Sequence, residues 1–545
     1  MNHRVPSYTS GVSAVPLIGE TIGQNFRRIA ATFGDREVLV DVPSGRRWTY
    51  RQLLADVDAL ARGLLALGIG KGDRIGIWAG TCPEWTLLQY ASADVGAILV
   101  TINPAYRRHE LRYVLNQAGV RMLVATRTTK GTDNATVIAD VRDSCPALEQ
   151  VVFVGDASWD RLFTQSSSAR ALADRHATLA ADDPINIQYT SGTTGHPKGA
   201  TLSHHNILNN AYFVGAACGY TATDRVCVPV PLFHTFGMVL GNLGTTTHGA
   251  CIVYPAPSFD PRATLAAVDR ERCTSLYGVP AMFIAMLAEL DGEPFDMSSL
   301  RTGIMAGSPC PVEVMKQVVD RMGMTEVTIC YGMTETSPVS TQTRADDSLR
   351  HRVSTVGRVH PHVEIKIIDP ETGTTVPRGA AGELCTRGYS VMLGYWDQPD
   401  KTAEAIDAAR WMHTGDFATM DDNGYVRITG RLKDMVIRGG ENISPREIEE
   451  FLHSHRDVRD AQVVGVPDAL LGEELMAWIQ LQPGAPDLTP AALRAFANGK
   501  LAGYKIPRYV QAIDQFPMTA SGKVRKVELR QMAVRLLGLE LDAAA

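Results

Sequence analysis

The sequence predicts an α/β protein whose large N-terminal part is layered and whose C-terminal part is a small α+β unit. Three observations support this fold class. Helical and strand-like patterns alternate through roughly the first 350 residues. Strands with frequent turn signals follow, and a further capped helix begins after a charged turn at 430–434. At 545 residues the chain is too long for one hydrophobic core.

The N-terminal part opens with helix–strand alternation. Apolar residues recur every three or four positions across 53–67, which predicts an amphipathic helix. Glycines end that helix, and the apolar run at 74–78 predicts a short strand. Further buried strands are predicted at 151–154, 226–230, 250–254 and 328–331. The Ser/Ala-rich segment 165–183 has few apolar anchors, so we expect a loop or a peripheral helix there.

A β module and a small domain follow. Strands are predicted at 363–368, 382–386 and 424–428. Beyond them, Ser444 and Glu447 form a capping-box pattern around a proline, which predicts a helix start. Strands are predicted at 458–466 and 475–481, and Thr489 before a proline predicts another helix start. We therefore divide the chain into an N-terminal domain, 1–431, and a C-terminal domain, 432–545.

Composition disfavours several classes of function. The formal net charge is −6 and the isoelectric point is near 6.2, which favours neither nucleic acid nor an anionic membrane surface. No apolar run reaches the roughly 18 residues of a membrane span, and residues 1–16 carry no secretory-signal pattern. Nine cysteines occur without a C-x-x-C pair, which indicates reduced thiols. We therefore expect a soluble, cytoplasmic protein without a nucleic-acid partner.

The segment YTSGTTGHPKGA at 189–200 is the most informative stretch of the chain. Its glycines let the backbone approach a ligand, successive N–H groups form an anion-binding concavity, and its hydroxyls and lysine add donors and charge. The pattern predicts a polyphosphate site, with a mobile surface loop as the alternative. The residues predicted to bind phosphate are Thr190, Ser191, Gly192, Thr193, Thr194, Gly195 and Lys198.

This segment is not the P-loop of nucleoside triphosphatases, G-x-x-x-x-G-K-[ST]. Counting from Gly192 places Pro197 where the second glycine belongs, and Gly199 follows the lysine. The segment instead resembles the signature of the adenylate-forming superfamily, which includes acyl-CoA synthetases, luciferases and peptide-synthetase adenylation domains. The resemblance extends from residue 48 to residue 526. It implies two α/β subdomains plus a β module in the N-terminal domain, and a small, mobile α+β C-terminal domain.

Two segments resemble the superfamily's adenine and magnesium contacts. AGSPCP at 306–311 resembles an adenine-contacting turn, for which a plain helix-entry turn is the alternative. The residues implied there are Gly307, Ser308 and Pro309. In YGMTET at 331–336 the resemblance implies that Tyr331 stacks on adenine, beside Gly332 in the same nucleotide-binding segment. It also implies that Thr334 binds the α-phosphate and Glu335 ligates Mg²⁺, an ion that prefers carboxylate and phosphate oxygens; a capped turn is the alternative.

Asp416 and Arg431 match the superfamily's ribose-binding pair and stand 15 residues apart. An aspartate can accept two hydrogen bonds from ribose hydroxyls, and the arginine fork suits ribose oxygens and phosphate. Each could otherwise be an ordinary charge at a strand end.

Three C-terminal features resemble parts of a two-step catalytic cycle. Lys433 stands at the superfamily's hinge position. Arg438, Gly439, Gly440 and Glu441 match the segment that completes the CoA tunnel. Lys523 matches the lysine that contacts the carboxylate and the α-phosphate during adenylation, where a fixed cation offsets developing charge. Ordinary charged turns and a solvated basic tail are the alternatives for these stretches.

His234, in PLFHTFG at 231–237, matches a histidine beside the acyl pocket that moves to open the thiol tunnel; a structural histidine is the alternative. Peptide-synthetase domains use an aspartate here to hold the substrate's α-ammonium group. Segment 231–237 has no acidic residue, and a buried ammonium without a counterion would cost several kcal/mol. We therefore expect an acid without an α-amino group. The apolar and small residues at 234–238 and 241–249 favour a medium- or long-chain fatty acid.

The resemblance implies an AMP-forming acyl-CoA synthetase that uses ATP, Mg²⁺ and coenzyme A. The implied catalytic residues are Lys523, Thr334, Glu335 and His234. Three alternatives stay open: a fatty-acyl-AMP ligase that serves a carrier protein, an aryl-CoA ligase, and a non-catalytic acyl- or nucleotide-binding regulator. The expected partners are the small-molecule substrates, and a homodimer stays open.

Overall fold

The computed structural model describes residues 5–129, 131–164, 167–190, 197–292, 294–308, 310–431, 434–438, 441–468, 470–498, 500–501, 503–519 and 523–539, with the backbone alone at 441–442. These residues form two compact units. The larger unit comprises Tyr8–Ile365 and Cys385–His413, and the smaller comprises the described parts of Met1–Ser7, Lys366–Leu384 and Thr414–Ala545. Each unit is described by itself below.

The strands are β1 (Tyr8–Ser10), β2 (Glu37–Asp41), β3 (Arg46–Thr49), β4 (Arg74–Trp78), β5 (Ile98–Thr101), β6 (Met122–Ala125), β7 (Thr128–Thr129), β8 (Thr132–Asp133), β9 (Gln150–Phe153), β10 (Pro184–Thr190), β11 (Lys198–Ser203), β12 (Arg225–Cys227), β13 (Cys251–Tyr254), β14 (Ser275–Gly278), β15 (Thr302–Ala306), β16 (Glu326–Gly332), β17 (Val339–Gln342), β18 (Arg358–Val359), β19 (Val363–Ile368), β20 (Gly382–Gly388), β21 (Gly394–Tyr395), β22 (Met412–Met420), β23 (Val426–Arg431), β24 (Val436–Arg438), β25 (Glu441–Ile443), β26 (Val458–Asp468), β27 (Gly472–Leu481) and β28 (Tyr509–Ala512).

The helices are α1 (Ile22–Phe33), α2 (Tyr50–Ala66), α3 (Pro83–Val95), α4 (Arg108–Gln117), α5 (Asn134–Arg142), α6 (Ala157–Thr164), α7 (Ala169–His176), α8 (His204–Ala217), α9 (Gly244–Thr246), α10 (Pro261–Glu271), α11 (Pro280–Glu289), α12 (Val312–Met322), α13 (Leu349–Ser354), α14 (Pro399–Ala405), α15 (Pro445–His453), α16 (Pro490–Ala497) and α17 (Lys526–Leu537). A π-helix spans Phe236–Leu243, and 3₁₀ turns span Thr334–Thr336 and Gly503–Lys505.

Two large sheets organise the larger unit. One has the order β18-β17-β16-β15-β14-β12-β13-β2-β3, and the other has the order β21-β11-β10-β5-β4-β6-β9. Adjacent residues of a strand face opposite layers, so Leu39 joins the core that also contains α1, α2, α3 and α8 residues, while Val40 joins the core with α10, α11 and α12. In the second sheet Val100 likewise joins a separate core with α4 and α5. Layers of helices on buried, mainly parallel strands confirm the α/β prediction.

The β module is a sheet in the order β1-β19-β20-β22-β23. The bounds of the two compact units fall within β19, β20 and β22. The predicted strand at 363–368 is confirmed at both ends, and the predicted 424–428 strand begins two residues later than expected, at Val426.

The rest of the smaller unit has a sheet of its own. Its order is β25-β24-β27-β26, and β28 pairs with β27. One face carries a core with Ile448 and Leu452 of α15, and the other carries a core with Leu529 and Ala533 of α17. This segment is the α+β unit that the sequence predicts.

The predicted capping box of α15 is wrong in its detail. Ser444 occupies the cap position but makes no side-chain cap hydrogen bond, because its hydroxyl donates instead to the Thr429 carbonyl. Glu447 accepts hydrogen bonds from Lys505 at 2.7 and 2.8 Å. The cap of α16 is confirmed, since the Thr489 hydroxyl accepts from the Ala492 N–H at 3.2 Å.

Candidate functional site

The predicted phosphate segment joins two neighbouring strands of the second sheet. Strands β10 and β11 pair antiparallel, and their register sets Thr190 opposite Lys198. The Thr190 hydroxyl donates to the Lys198 carbonyl at 3.5 Å. Ser191, Gly192, Thr193, Thr194 and Gly195 lie outside the described residues.

Lys198 and Glu335 meet at one aromatic side chain, Tyr395. The Lys198 ammonium lies 4.9 Å from the centroid of the Tyr395 ring, and the Tyr395 hydroxyl donates to Glu335 Oε1 at 2.8 Å. Tyr395 is 8% exposed and Glu335 is 5% exposed. Burial, and then the charge and hydrogen bond of Glu335, raise the pKa of Tyr395, which keeps its hydroxyl protonated.

The two predicted nucleotide segments share one edge of the first sheet. Strands β15 and β16 are parallel, and Ala306 pairs with Cys330, so Gly307 and Tyr331 follow at neighbouring strand ends. Ser308 is exposed, and Pro309 lies outside the described part of the chain. This common edge is where parallel strands of α/β proteins present their ligand-binding loops.

In the 331–336 segment the backbone of Gly332 packs closely against a neighbouring carbonyl group. A Cβ atom on Gly332 would lie 1.8 Å from the Pro338 carbonyl oxygen, so only glycine fits there. Thr334 and Glu335 are buried in the 3₁₀ turn just beyond it. The resulting turn directs Glu335 to Tyr395.

His234 lies at the entrance to the π-helix. The preceding strand β12 ends at Cys227, three residues earlier than the predicted end at 230, so His234 sits on an irregular segment. His234 is half-buried, and its Nδ1 accepts from the Phe236 N–H at 3.2 Å. A Cβ on Gly237 or Gly241 would approach neighbouring atoms to 2.4 or 2.8 Å, so these glycines serve close packing, not an open wall.

Asp416 and Arg431 form an ion pair in the smaller unit. They are opposite each other in the β22–β23 register, and Arg431 Nε donates to Asp416 Oδ1 at 2.9 Å. Asp416 is buried and Arg431 is exposed. The buried Asp416 carboxylate therefore holds the Arg431 side chain in place. The exposed guanidinium is a group that can make two parallel hydrogen bonds to one partner.

Arg438 is bonded within the smaller unit. Its guanidinium contacts Glu474 with two 2.8 Å distances and donates to the Tyr504 carbonyl at 2.7 Å. Glu474 is fully buried. This pairing fixes the end of β24 and neutralises the arginine. Gly439, Gly440 and Lys433 lie outside the described residues, and the backbone of Glu441 pairs with that of Arg438.

Lys523 is exposed, and its backbone bonds to Thr519. Its N–H donates to the Thr519 hydroxyl at 3.0 Å, and its carbonyl accepts from the Thr519 N–H at 2.7 Å. Just beyond it, Lys526 Nζ lies 2.6 Å from Glu449 Oε1 on α15. The residues just after Lys523 are thus anchored to α15.

The donor set of the larger unit fits a magnesium–polyphosphate complex. Glu335 offers a buried carboxylate whose orientation is fixed by Tyr395, and Lys198 offers a positive charge beside it. Mg²⁺ is held in proteins by one or two carboxylates together with phosphate oxygens. Tyr395 was missed in the sequence because a lone tyrosine after a glycine carries no charge or spacing that marks a site.

The geometry agrees with comparisons to known proteins. The model of the AMP-binding enzyme family matches residues 26–396, and that of the AMP-binding enzyme C-terminal domain matches residues 447–523. YngI of Bacillus subtilis (strain 168) is 47% identical over 96% of this chain and 99% of its own length. The mitochondrial medium-chain acyl-CoA ligase ACSF2 of Danio rerio is 43% identical over 98% of this chain and 91% of its own.

A solved structure shares this architecture. The anthranilate CoA ligase AuaEII in complex with anthranoyl-AMP superposes with a TM-score of 0.86 at 27% identity, over 96% of this chain and 99% of that one. No helix of the described residues is long and apolar enough to cross a membrane. All nine cysteines are unbridged thiols, as the sequence predicts.

Proposed function

Because this chain belongs to the AMP-binding enzyme family, in its acyl-CoA synthetase branch, we propose that it activates a medium- or long-chain fatty acid. ATP and the acid give acyl-AMP and pyrophosphate, and coenzyme A then gives acyl-CoA and AMP. The observation that carries the proposal is the meeting of Lys198, Tyr395 and Glu335, within the residues that the family model matches.

In the first half-reaction an oxygen of the fatty-acid carboxylate attacks the α-phosphorus in line, and the bond to the pyrophosphate oxygen breaks. The protein's task is positioning and charge neutralisation. Lys198 and the 190–195 segment hold the β- and γ-phosphates, and Thr334 binds the α-phosphate. The adenine ring lies at the edge formed by Gly307, Ser308, Pro309, Tyr331 and Gly332. Asp416 and Arg431 hold the ribose.

Glu335 is the residue we assign to Mg²⁺. When bound, Mg²⁺ would neutralise charge on the phosphate oxygens. Glu335 suits this role because its carboxylate is buried and accepts a fixed hydrogen bond, so that binding requires little side-chain ordering.

Lys523 is the cation assigned to the transition state of adenylation. We place the domain boundary after Arg431, with Lys433 as the hinge of the C-terminal domain. In the second half-reaction the thiol sulfur attacks the acyl carbonyl, and the bond to AMP breaks. The 438–441 segment and His234 are assigned to the thiol path. Because Arg438 is already neutralised by Glu474, its assigned role is to shape that segment.

Two observations support a fatty acid as the substrate. ACSF2 of Danio rerio is by name a medium-chain acyl-CoA ligase. Segment 231–237 also lacks the carboxylate that an amino-acid substrate would need, and Phe236 and Leu240 of the π-helix are buried apolar residues. We further propose a cytoplasmic location, and a homodimer as the assembly to test.

Acid-dependent exchange between ATP and labelled pyrophosphate tests the proposal. A series from acetate to palmitate, with benzoate and anthranilate beside it, should give the highest rates between octanoate and palmitate. Higher rates with acetate or an aryl acid would contradict the fatty-acid assignment, and no exchange with any acid would favour a binding regulator. Product analysis with coenzyme A present then separates a CoA ligase from an enzyme that charges a carrier protein.

A further inference from the structure

Tyr395 touches two site residues that are 137 positions apart in the chain. Its ring lies under the Lys198 ammonium, with 4.9 Å between the nitrogen and the ring centroid, and its hydroxyl donates to Glu335 Oε1 at 2.8 Å. The tyrosine is itself fixed, because it lies on β21 opposite Ala200 of β11 and its N–H donates to the Thr402 hydroxyl at 2.9 Å.

Backbone bonds hold the residues around Tyr395 to the same two elements. The Met392 N–H donates to the Glu335 carbonyl at 2.9 Å, on the 3₁₀ turn. The Leu393 N–H donates to the Thr201 carbonyl at 2.9 Å, and the Trp396 N–H donates to the Gly199 carbonyl at 2.7 Å, both on β11. Segment 391–396, which we term the clamp, thus joins the end that carries Lys198 to the turn that carries Glu335.

We propose that Tyr395 is a positioning residue for the magnesium–ATP complex, orienting the Glu335 carboxylate through its hydroxyl and the Lys198 ammonium through its ring. This inference rests on the proposed function. Nothing in the sequence motifs assigns Tyr395 such a role.

The choice of an aromatic partner for Lys198 has a chemical reason. A carboxylate would orient the ammonium but would also neutralise it, whereas the negative face of an aromatic ring attracts the cation and leaves its net charge intact for phosphate. No carboxylate of the described residues forms an ion pair with Lys198. The donor to Glu335 is likewise an uncharged hydroxyl, so it adds no positive charge beside that carboxylate.

Two substitutions separate the two contacts. Tyr395→Phe removes the hydrogen bond to Glu335 and keeps the ring, and Tyr395→Leu removes both. For Tyr395→Phe we expect the Mg²⁺ concentration that gives half-maximal pyrophosphate exchange to rise about tenfold, the scale of a lost charge-assisted hydrogen bond. The KM for the acid should stay within about twofold. Tyr395→Leu should in addition raise the KM for ATP about fivefold, since the ammonium loses its support.

Two readouts distinguish positioning from a merely structural role. Thioester formation from supplied acyl-adenylate, which involves no triphosphate, should be unchanged in Tyr395→Phe. In a Glu335→Gln background, Tyr395→Phe should add no further change in Mg²⁺ dependence. Tyr50→Phe is the matched control, because its buried hydroxyl donates to the Ala250 carbonyl at 2.7 Å and its loss should leave both half-reactions unchanged.

Wild-type Mg²⁺ dependence in Tyr395→Phe, or equal losses in both half-reactions, would overturn the role of Tyr395. Absence of acid-dependent exchange in the wild-type protein would instead overturn the proposed function. Calorimetry of ATP binding at several Mg²⁺ concentrations then still tests the role of Tyr395. A lower ATP affinity in Tyr395→Phe than in the wild type supports that role, and the same affinity refutes it.

Discussion

Arg431 donates its Nε hydrogen to Asp416 Oδ1 at 2.9 Å, across a strand pair that sets the two residues directly opposite each other. The contact joins neighbouring strands of one hairpin, so backbone register fixes the pair before any ligand binds. The ribose site that we propose here would therefore need little reorganisation on binding.

Asp416→Asn should raise the KM for ATP about tenfold or more, because the amide can no longer accept with both oxygens and loses its charge against Arg431. Steady-state kinetics with varied ATP measures this change. Asp422→Asn, in the exposed turn between the same two strands, is the control and should leave the KM for ATP unaltered. A similar change in both variants would refute the ribose assignment.

Lys523→Ala should lower the rate of adenylation by about a hundredfold or more while thioester formation from supplied acyl-adenylate stays near the wild-type rate. The reason is that the positive charge of the lysine stabilises negative charge that develops only in the transition state of adenylation. Single-turnover measurements of each half-reaction give the two rates. Lys500→Ala, also exposed in the smaller unit, serves as the control. Equal losses in both half-reactions would contradict the assignment.

Glu449→Gln should lower the free energy of unfolding by about 2 kcal/mol, because it leaves the partly buried Lys526 ammonium without its counterion. Glu449 Oε1 also accepts from the Val463 N–H at 2.8 Å, so the same change weakens the contact between α15 and β26. Urea denaturation measures the difference.

Glu450→Gln on the same helix is the matched control for that change. Glu450 pairs with Arg427 and Arg446 with a side chain 43% exposed, and its loss should change stability by less than about 0.5 kcal/mol. Equal effects of the two substitutions would show that the Glu449–Lys526 ion pair stabilises the fold no more than the exposed pairs of Glu450.

We expect the free energy of unfolding to fall as the pH is lowered, in part because His204 resists protonation in the folded protein. This fully buried histidine accepts a hydrogen bond from the Ile22 N–H at its Nδ1, at 3.2 Å, and burial lowers its pKa from 6.5 to about 4. Between those values the unfolded chain binds a proton that the folded chain does not. The stability linked to neutral His204 is therefore fully present above pH 6.5 and is lost as the pH falls toward 4.

His204→Asn keeps an acceptor and removes the titration. The wild-type protein should lose roughly 3 kcal/mol more stability than this variant between pH 7 and pH 4. Denaturant titrations at several pH values give the comparison, with the exposed His109→Asn as the control. Parallel pH profiles for wild type and His204→Asn would exclude His204 as a source of the acid sensitivity.

Local periodicity was enough to predict elements that depend on their own residues. The 53–67 pattern corresponds to α2, the 74–78 run is β4, and the Thr489 cap opens α16. These predictions succeed because amphipathic spacing and capping are interactions within one element.

Contacts between distant segments were not predictable in this way. Ser444 has the right spacing for a cap, yet the Thr429 carbonyl, brought close by tertiary structure, takes its hydroxyl. Arg438 lies in a predicted ligand-binding segment, yet buried Glu474 pairs with it. Tyr395 lies far from both Lys198 and Glu335 in sequence. The pairing of β21 with β11 brings it to Lys198, and the bond from the Met392 N–H to the Glu335 carbonyl brings it to Glu335.

The clamp at 391–396 bears on how such proteins can diverge. Met392, Leu393 and Trp396 hold the two site elements through their N–H groups, which every residue type except proline supplies. Mutation can therefore alter their side chains without changing these bonds, and Leu393, 43% exposed, is under the least packing constraint. Selection on this segment would then act mainly on the ring and hydroxyl of Tyr395 and on buried Met392, while exposed Leu393 can vary more freely.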